Sequence, residues 1–247
     1  MALTRISYLH NILPYITDNW EELWKLREVH SEWKDCIMNY LDETWKRIYL
    51  KYKDNKSNTL LHILIEKKQQ NLQMVMIRLL CQNGMSLEKE NINKETPLHN
   101  ACDNGHEKCV ELLLSAGAEK EAKSTNNWTP LHSACHNGHE KCVELLLSAG
   151  AEKEAKTTNN WTPLHHACDN GHEKCVELLL SAGAEKEAKS TNNWTPLHRA
   201  CDNGHEKCVE LLLSAGAEKE AKSIDNCTPL RHATRYGHTK CIALFYQ

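Results

Sequence analysis

The chain has 247 residues, with 33 acidic and 30 basic side chains giving a formal net charge of −3. No basic footprint marks a nucleic-acid binder, and apolar runs such as Met74–Ile77 are far too short to span a bilayer. Residues 1–11 lack the charged cluster and apolar core of a secretory signal, so a cytoplasmic or nuclear location is expected.

Residues 1–54 come first and are different in kind from the remainder of the chain. They hold Trp20, Trp24, Trp33 and Trp45, four of the seven tryptophans, and carry no repeat. Ile6, Leu9, Leu13 and Ile16 form one helical stripe, interrupted by Pro14, which should bend or end a helix. Leu23, Leu26, Val29, Trp33 and Ile37 keep to one face at three- and four-residue intervals, and Trp45, Ile48 and Leu50 make a third short segment. Three helices in so few residues are marginal alone, so this unit should dock on the next one or on another protein.

From residue 55 to 247 the chain repeats itself. A block of 33 residues opens with Thr-Pro-Leu-His at Thr96, Thr129, Thr162 and Thr195, and a shortened copy opens at Thr228. A weaker unit, Thr59-Leu60-Leu61-His62 through Leu79, Leu80 and Gly84, precedes them with four extra residues. That makes six units, the first divergent and the last truncated. A period of this size means stacked small units, none able to bury its apolar face without a neighbour. Such an array makes a surface and no closed pocket, so binding is expected and catalysis is not.

Each unit reads as a pair of helices. Thr129 is an N-cap type, Pro130 suits the first helical position, and Gly138 can take the left-handed cap that stops the first helix. His139 opens a second helix whose apolar stripe is Cys142, Val143, Leu145, Leu146 and Leu147, and Gly150 ends it. Residues 151–160 have no apolar period and predict an extended arm and a tight turn, for which Asn159 and Asn160 are suited because Asn tolerates positive φ.

Twelve cysteines and the recurring His99, Cys102, His106 and Cys109 invite a zinc or disulfide reading. The paired spacing of zinc knuckles is absent, and these cysteines fall on the apolar stripes, where a free thiol behaves as a small buried hydrophobe. No metal or cofactor is expected. Nor does any phosphate loop, nucleophile elbow or metalloprotease motif occur. Glu107, Glu111, Glu119 and Glu121 recur in every full unit with Lys108, Lys120 and Lys123, which fits a solvated, ion-paired face better than a catalytic group.

The differences between copies locate a candidate site. Asn100, Ser133, His166, Arg199 and His232 occupy one changing position, and Asp103, His136, Asp169, Asp202 and Arg235 the other, three residues on and therefore on one helix face. Units one and three differ only at Asn100 against His166. Trp128, Trp161 and Trp194 precede three of the Thr-Pro pairs, with Glu95 and Cys227 in their place at the ends. These indoles are either binding anchors at exposed turns or a ladder that stiffens the array.

Recurrence of Thr-Pro-Leu-His, Asn-Gly-His, Leu-Leu-Leu and Gly-Ala in phase resembles the ankyrin-repeat family over residues 55–247. The resemblance implies an all-α solenoid of helix-turn-helix units with β-hairpin turns, and a protein ligand held along the concave face that carries the changing positions. The turn has Asn127, Asn160 and Asn193 where the family usually has Gly. In residues 1–54, Leu26-x-x-Val29-x-x-x-Trp33 with Trp45-Lys46-x-Ile48-Tyr49 after it resembles the latter half of an F-box; the family's Leu-Pro opening is absent. That second resemblance implies a Skp-type adaptor of a cullin–RING ubiquitin ligase as partner, met by Leu9, Ile12, Leu13, Ile16 and Trp24, with the repeats holding a substrate. The alternative is a plain scaffold, including a host-directed effector acting in a host cytosol, whose first residues only close the solenoid.

Overall fold

The computed structural model describes Leu61, His62, Ile65, Ile77 and residues 86–246, all within the unit Lys53–Gln247. The three helices and the F-box-like residues expected in 1–54, Leu9, Ile12, Leu13, Ile16 and Trp24 among them, lie outside the described residues.

Among the described residues five helix pairs succeed one another: α1 (Pro97–Asp103) with α2 (Glu107–Ser115), α3 (Pro130–Asn137) with α4 (Glu140–Ser148), α5 (Pro163–Asp169) with α6 (Glu173–Ser181), α7 (Pro196–Asp202) with α8 (Glu206–Ser214), and α9 (Pro229–Arg235) with α10 (Thr239–Leu244). Each first helix packs on the first helices before and after it, and each second helix on the neighbouring second helices. The result is two stacked rows.

Local chemistry sets the bounds of each helix. Thr129 caps α3 in an extended conformation, Pro130 stands at the first helical position, and Gly138 closes the helix at φ 73°. The other full units stop one residue sooner, with Asn104, Asn170 or Asn203 as the cap and the next glycine at positive φ. His139 is the N-cap of α4, and Glu140 takes the first turn, where its charge suits the helix dipole.

Between units, residues expected as an extended arm form turns, and no strand occurs among the described residues. Asn127, Asn160, Asn193 and Asn226 sit at φ 55–58°, the left-handed position anticipated for Asn. One backbone bond joins successive turn tips: the N–H of Thr125, Thr158, Thr191 and Ile224 donates to the carbonyl of Asn93, Asn126, Asn159 and Asn192. A single bond per junction is too few to make a sheet ladder.

The core runs the length of the stack between the rows. Leu131, Ala134 and Cys135 from α3 are fully buried, as are Val143 and Leu146 from α4, with Cys142 close behind and the same positions repeated in the other full units. Of the predicted stripe, Leu145 and Leu147 are only half-buried, because the face meeting the first-helix row is narrower than five residues. The ten cysteines described are free, and nine of them are buried. Burial pushes the Cys142, Cys175 and Cys208 thiols up to about 12. They pack as hydrophobes and do not ionise near neutrality.

Candidate functional site

The site rests on a set of histidine clamps that fix one unit on the next. In unit two the Thr129 N–H donates to His132 Nδ1 at 3.1 Å, which makes that nitrogen an acceptor and places the ring proton on Nε2. Nε2 then donates to the Trp161 carbonyl at 3.1 Å, at the entrance to unit three. The same pair of bonds joins His99 to Trp128, His165 to Trp194 and His198 to Cys227. His62 reaches the Glu95 carbonyl at 2.9 Å in the same way, which puts the divergent first unit in phase with the rest. Burial holds His132, His165 and His198 down to about 4, against the raising effect of their backbone bonds, so all three are neutral.

A second histidine closes each junction from the other side. His139, His172, His205 and His238 donate from Nε2 to the carbonyls of Asp103, His136, Asp169 and Asp202 at 2.9–3.0 Å. Each ring lies against the glycine of the preceding Asn-Gly-His, so that a Cβ on Gly138 would run into the His172 imidazole. Glycine is thus demanded twice there, by its φ and by its neighbour. On the outer edge, Glu121, Glu154 and Glu187 accept the backbone N–H of Glu152, Glu185 and Glu218 at 2.8 Å. Glu121, expected on a solvated face, also caps a turn of the next unit through this exposed bond. The Lys141–Glu144, Lys174–Glu177 and Lys207–Glu210 pairs do stand in solvent.

Upon this frame the changing residues and the tryptophans meet. Trp128 lies 5.1 Å from His136 of its own unit and 4.4 Å from His166 of the next, ring centre to ring centre. Trp161 is 4.8 Å from the other side of His166 and 4.0 Å from the Arg199 guanidinium, which is in turn 4.3 Å from Trp194. Trp194 ends the row against His232 at 4.4 Å. Trp128, His166, Trp161, Arg199, Trp194 and His232 therefore form one continuous row of contacts, its ring pairs tilted or edge-on, which we call the stack. The guanidinium held between two indoles is a paired cation–π contact, worth about 0.5–2 kcal/mol for each ring.

This stack corrects one expectation. Asn100, Ser133, His166 and His232, expected to face a partner, are each only 6–8% exposed. His166 and His232 are covered in part by the turn indoles of Trp128, Trp161 and Trp194, which lie against the first helices. Arg199 keeps 20% of its side chain exposed. The second changing position is more open: Asp103 and Arg235 are exposed, and His136, Asp169 and Asp202 are half-buried.

Polar contacts link these more open residues between units. Asn137 Nδ2 donates to Asp103 at 2.9 Å, Asn203 Nδ2 to Asp169 at 3.0 Å, and Asn170 Nδ2 to His136 Nδ1 at 3.0 Å. Asp169 stands 3.7 Å from Arg199, and Asp202 lies 2.9 Å from His232 Nδ1. His166 has no hydrogen-bond partner on either ring nitrogen, and burial with neighbouring His132 and His136 pushes it down to about 2. It is a neutral ring packed between indoles.

Sequence reasoning chose the stacked residues but missed the carboxylate caps at Glu121, Glu154 and Glu187. Their signal was present: a charge recurring at every period can be kept for a bond across the period.

A family model described as ankyrin repeats matches the chain in three copies, over residues 34–124, 117–190 and 185–247. Its first copy begins inside the segment read as a separate N-terminal unit. No curated protein matches the chain. Among the described residues no helix is long and apolar enough to cross a membrane.

Proposed function

The chain belongs to the ankyrin-repeat family, and from that premise we propose that it holds a protein ligand along the edge built by the tryptophan stack and the changing helix positions. Ankyrin repeats bind protein partners and generally act as non-enzymatic scaffolds. The observation that carries the more specific reading is that His136, His166, Arg199 and His232, at the two changing helix positions, touch the indoles, with a few further changes, Thr157, Ile224 and Asp225, in the turn arm. Unselected change after duplication would also have struck exposed residues such as Glu107 and Lys108, which do not vary among the full copies. The open members Asp103 and His136 supply direct contacts, while the buried members set the tilt and polarity of the tryptophans. Replacing Asp103 by Lys should alter the proteins recovered by cross-linking to the full chain and leave the thermal transition within a degree or two. An unchanged set of partners would refute this use of the edge.

A second reading rests on the residues of 1–54. Leu26-x-x-Val29-x-x-x-Trp33 and Trp45-Lys46-x-Ile48-Tyr49 support an F-box-like adaptor-binding unit, with Leu9, Ile12, Leu13, Ile16 and Trp24 toward a Skp-type adaptor. The chain would then be the substrate receptor of a cullin–RING ubiquitin ligase, contributing proximity while the partner enzyme performs the chemistry. The family match beginning at residue 34 favours instead a repeat that starts within this segment. Mixing the purified chain with purified adaptor separates the two. A stoichiometric complex lost on deleting residues 1–54 supports the receptor, and its absence leaves a plain scaffold.

A further inference from the structure

The stack of rings stops one place short. His166 has an indole on each side and so does Arg199, but His232 has Trp194 on one side only, because Cys227 stands where the next tryptophan would be. A depression of about 580 Å³ opens there, lined by Cys227, Leu230, Arg231, His232, Thr234 and Arg235 among others.

Three observations give this notch a chemistry. Its lining contains no carboxylate, and both arginines are exposed and outside any ion pair among the described residues. In the full units the position of Arg231 is a clamp histidine and that of Arg235 is Asp or His, so the charge of the edge turns positive here. His232 is buried and bonded to Asp202 through Nδ1, yet its Nε2 has no hydrogen-bond partner. A buried polar atom is therefore left unmatched in a residue that lines the notch.

We propose that the notch between Cys227 and α9 takes an aromatic side chain from an acidic segment of the bound protein. The ring extends the row at the part of His232 that lines the notch, and flanking carboxylates meet Arg231 and Arg235. This deepens the protein-binding reading and rests on it, naming where one part of the ligand is read.

The test uses the full chain and labelled short peptides monitored by fluorescence anisotropy. One peptide carries a single Trp among Glu residues; the others replace the Trp by Ala or the Glu by Gln, and an oligonucleotide of equal charge is a further probe. The Glu/Trp peptide should bind at least about tenfold more tightly than each of the others, and the difference should shrink as salt rises. Cys227→Trp, which supplies the missing indole from within, should weaken it about tenfold. The double change Arg231→Glu with Arg235→Glu should do the same at exposed positions that leave the thermal transition in place. Equal binding of the Gln/Trp or Glu/Ala peptide, preference for the oligonucleotide, or indifference to both variants would overturn the proposal. An effect of Asp103→Lys on partners alongside such a result would sink the notch alone and leave the edge standing.

Discussion

The interior units and the last unit share one backbone and differ in what their first helices show to the neighbour on their C-terminal side. In unit three that face carries His165 and Cys168, both buried, and Leu164 with no exposure. The last unit has Arg231 and Thr234 at the first two positions, both exposed, and Leu230 only half-buried. Thr234 turns its hydroxyl back to the Leu230 carbonyl at 2.8 Å, satisfying itself within α9. The scaffold is thus common, and the side chains that reach the next unit decide whether a position is a joint or a surface.

Acid gives the largest way to break the comparison. His132 and His165 have folded values of about 4 against 6.5 for the free ring. The unfolded chain therefore binds more protons between those values, and the stability these clamps give is full above pH 6.5 and lost as pH falls toward 4. Each contributes up to about 3 kcal/mol to that loss. Urea titrations at pH 7 and pH 4.5 should show the midpoint falling, and His165→Asn should flatten the dependence. Arg231 is exposed and outside the buried clamps, so Arg231→Asn should leave the pH profile unchanged.

Cavity formation comes next. Leu164→Ala should cost about 2–5 kcal/mol by chemical denaturation, whereas Leu230→Ala should cost about 1 kcal/mol or less because that site can fill with water. Equal costs would mean that the last unit is covered as fully as the others.

The glycines sharpen the same contrast at smaller scale. Gly171→Ala introduces a Cβ against the His205 ring, while Gly237→Ala meets nothing within 4 Å, though both stand near φ +72°. Strain at positive φ, about 1 kcal/mol, is common to the two. The excess at Gly171 then measures the histidine packing alone, and identical losses would mean that the contact contributes nothing. Smallest of all, Glu177→Gln in the exposed Lys174–Glu177 pair should change stability by less than about 0.5 kcal/mol.

Much of this architecture is legible in the residues alone, since Thr-Pro, Asn-Gly and the Cys-Val-x-x-Leu stripe each act through local chemistry: cap, left-handed stop and buried face. What is not legible depends on partners one period away. Trp161 is a turn residue by sequence, and only stacking of units shows it between His166 and Arg199. The covering of His166 and His232 by neighbouring indoles results from that placement, and the capping by Glu121 likewise needs the next unit in position. A helix wheel shows which residues share a face. It does not show what the neighbouring turn lays over that face.

The most direct test of specificity written in the changing residues is His166→Asn, which makes unit three identical to unit one. It also trades the contacts of the ring with Trp128 and Trp161 for a smaller amide, so a thermal melt should show the fold kept with the transition lowered by a few degrees at most. Quantitative cross-linking of the full chain should then recover a changed or diminished set of partner proteins. An unaltered set, with the fold intact, would contradict the claim that the stacked edge reads the ligand.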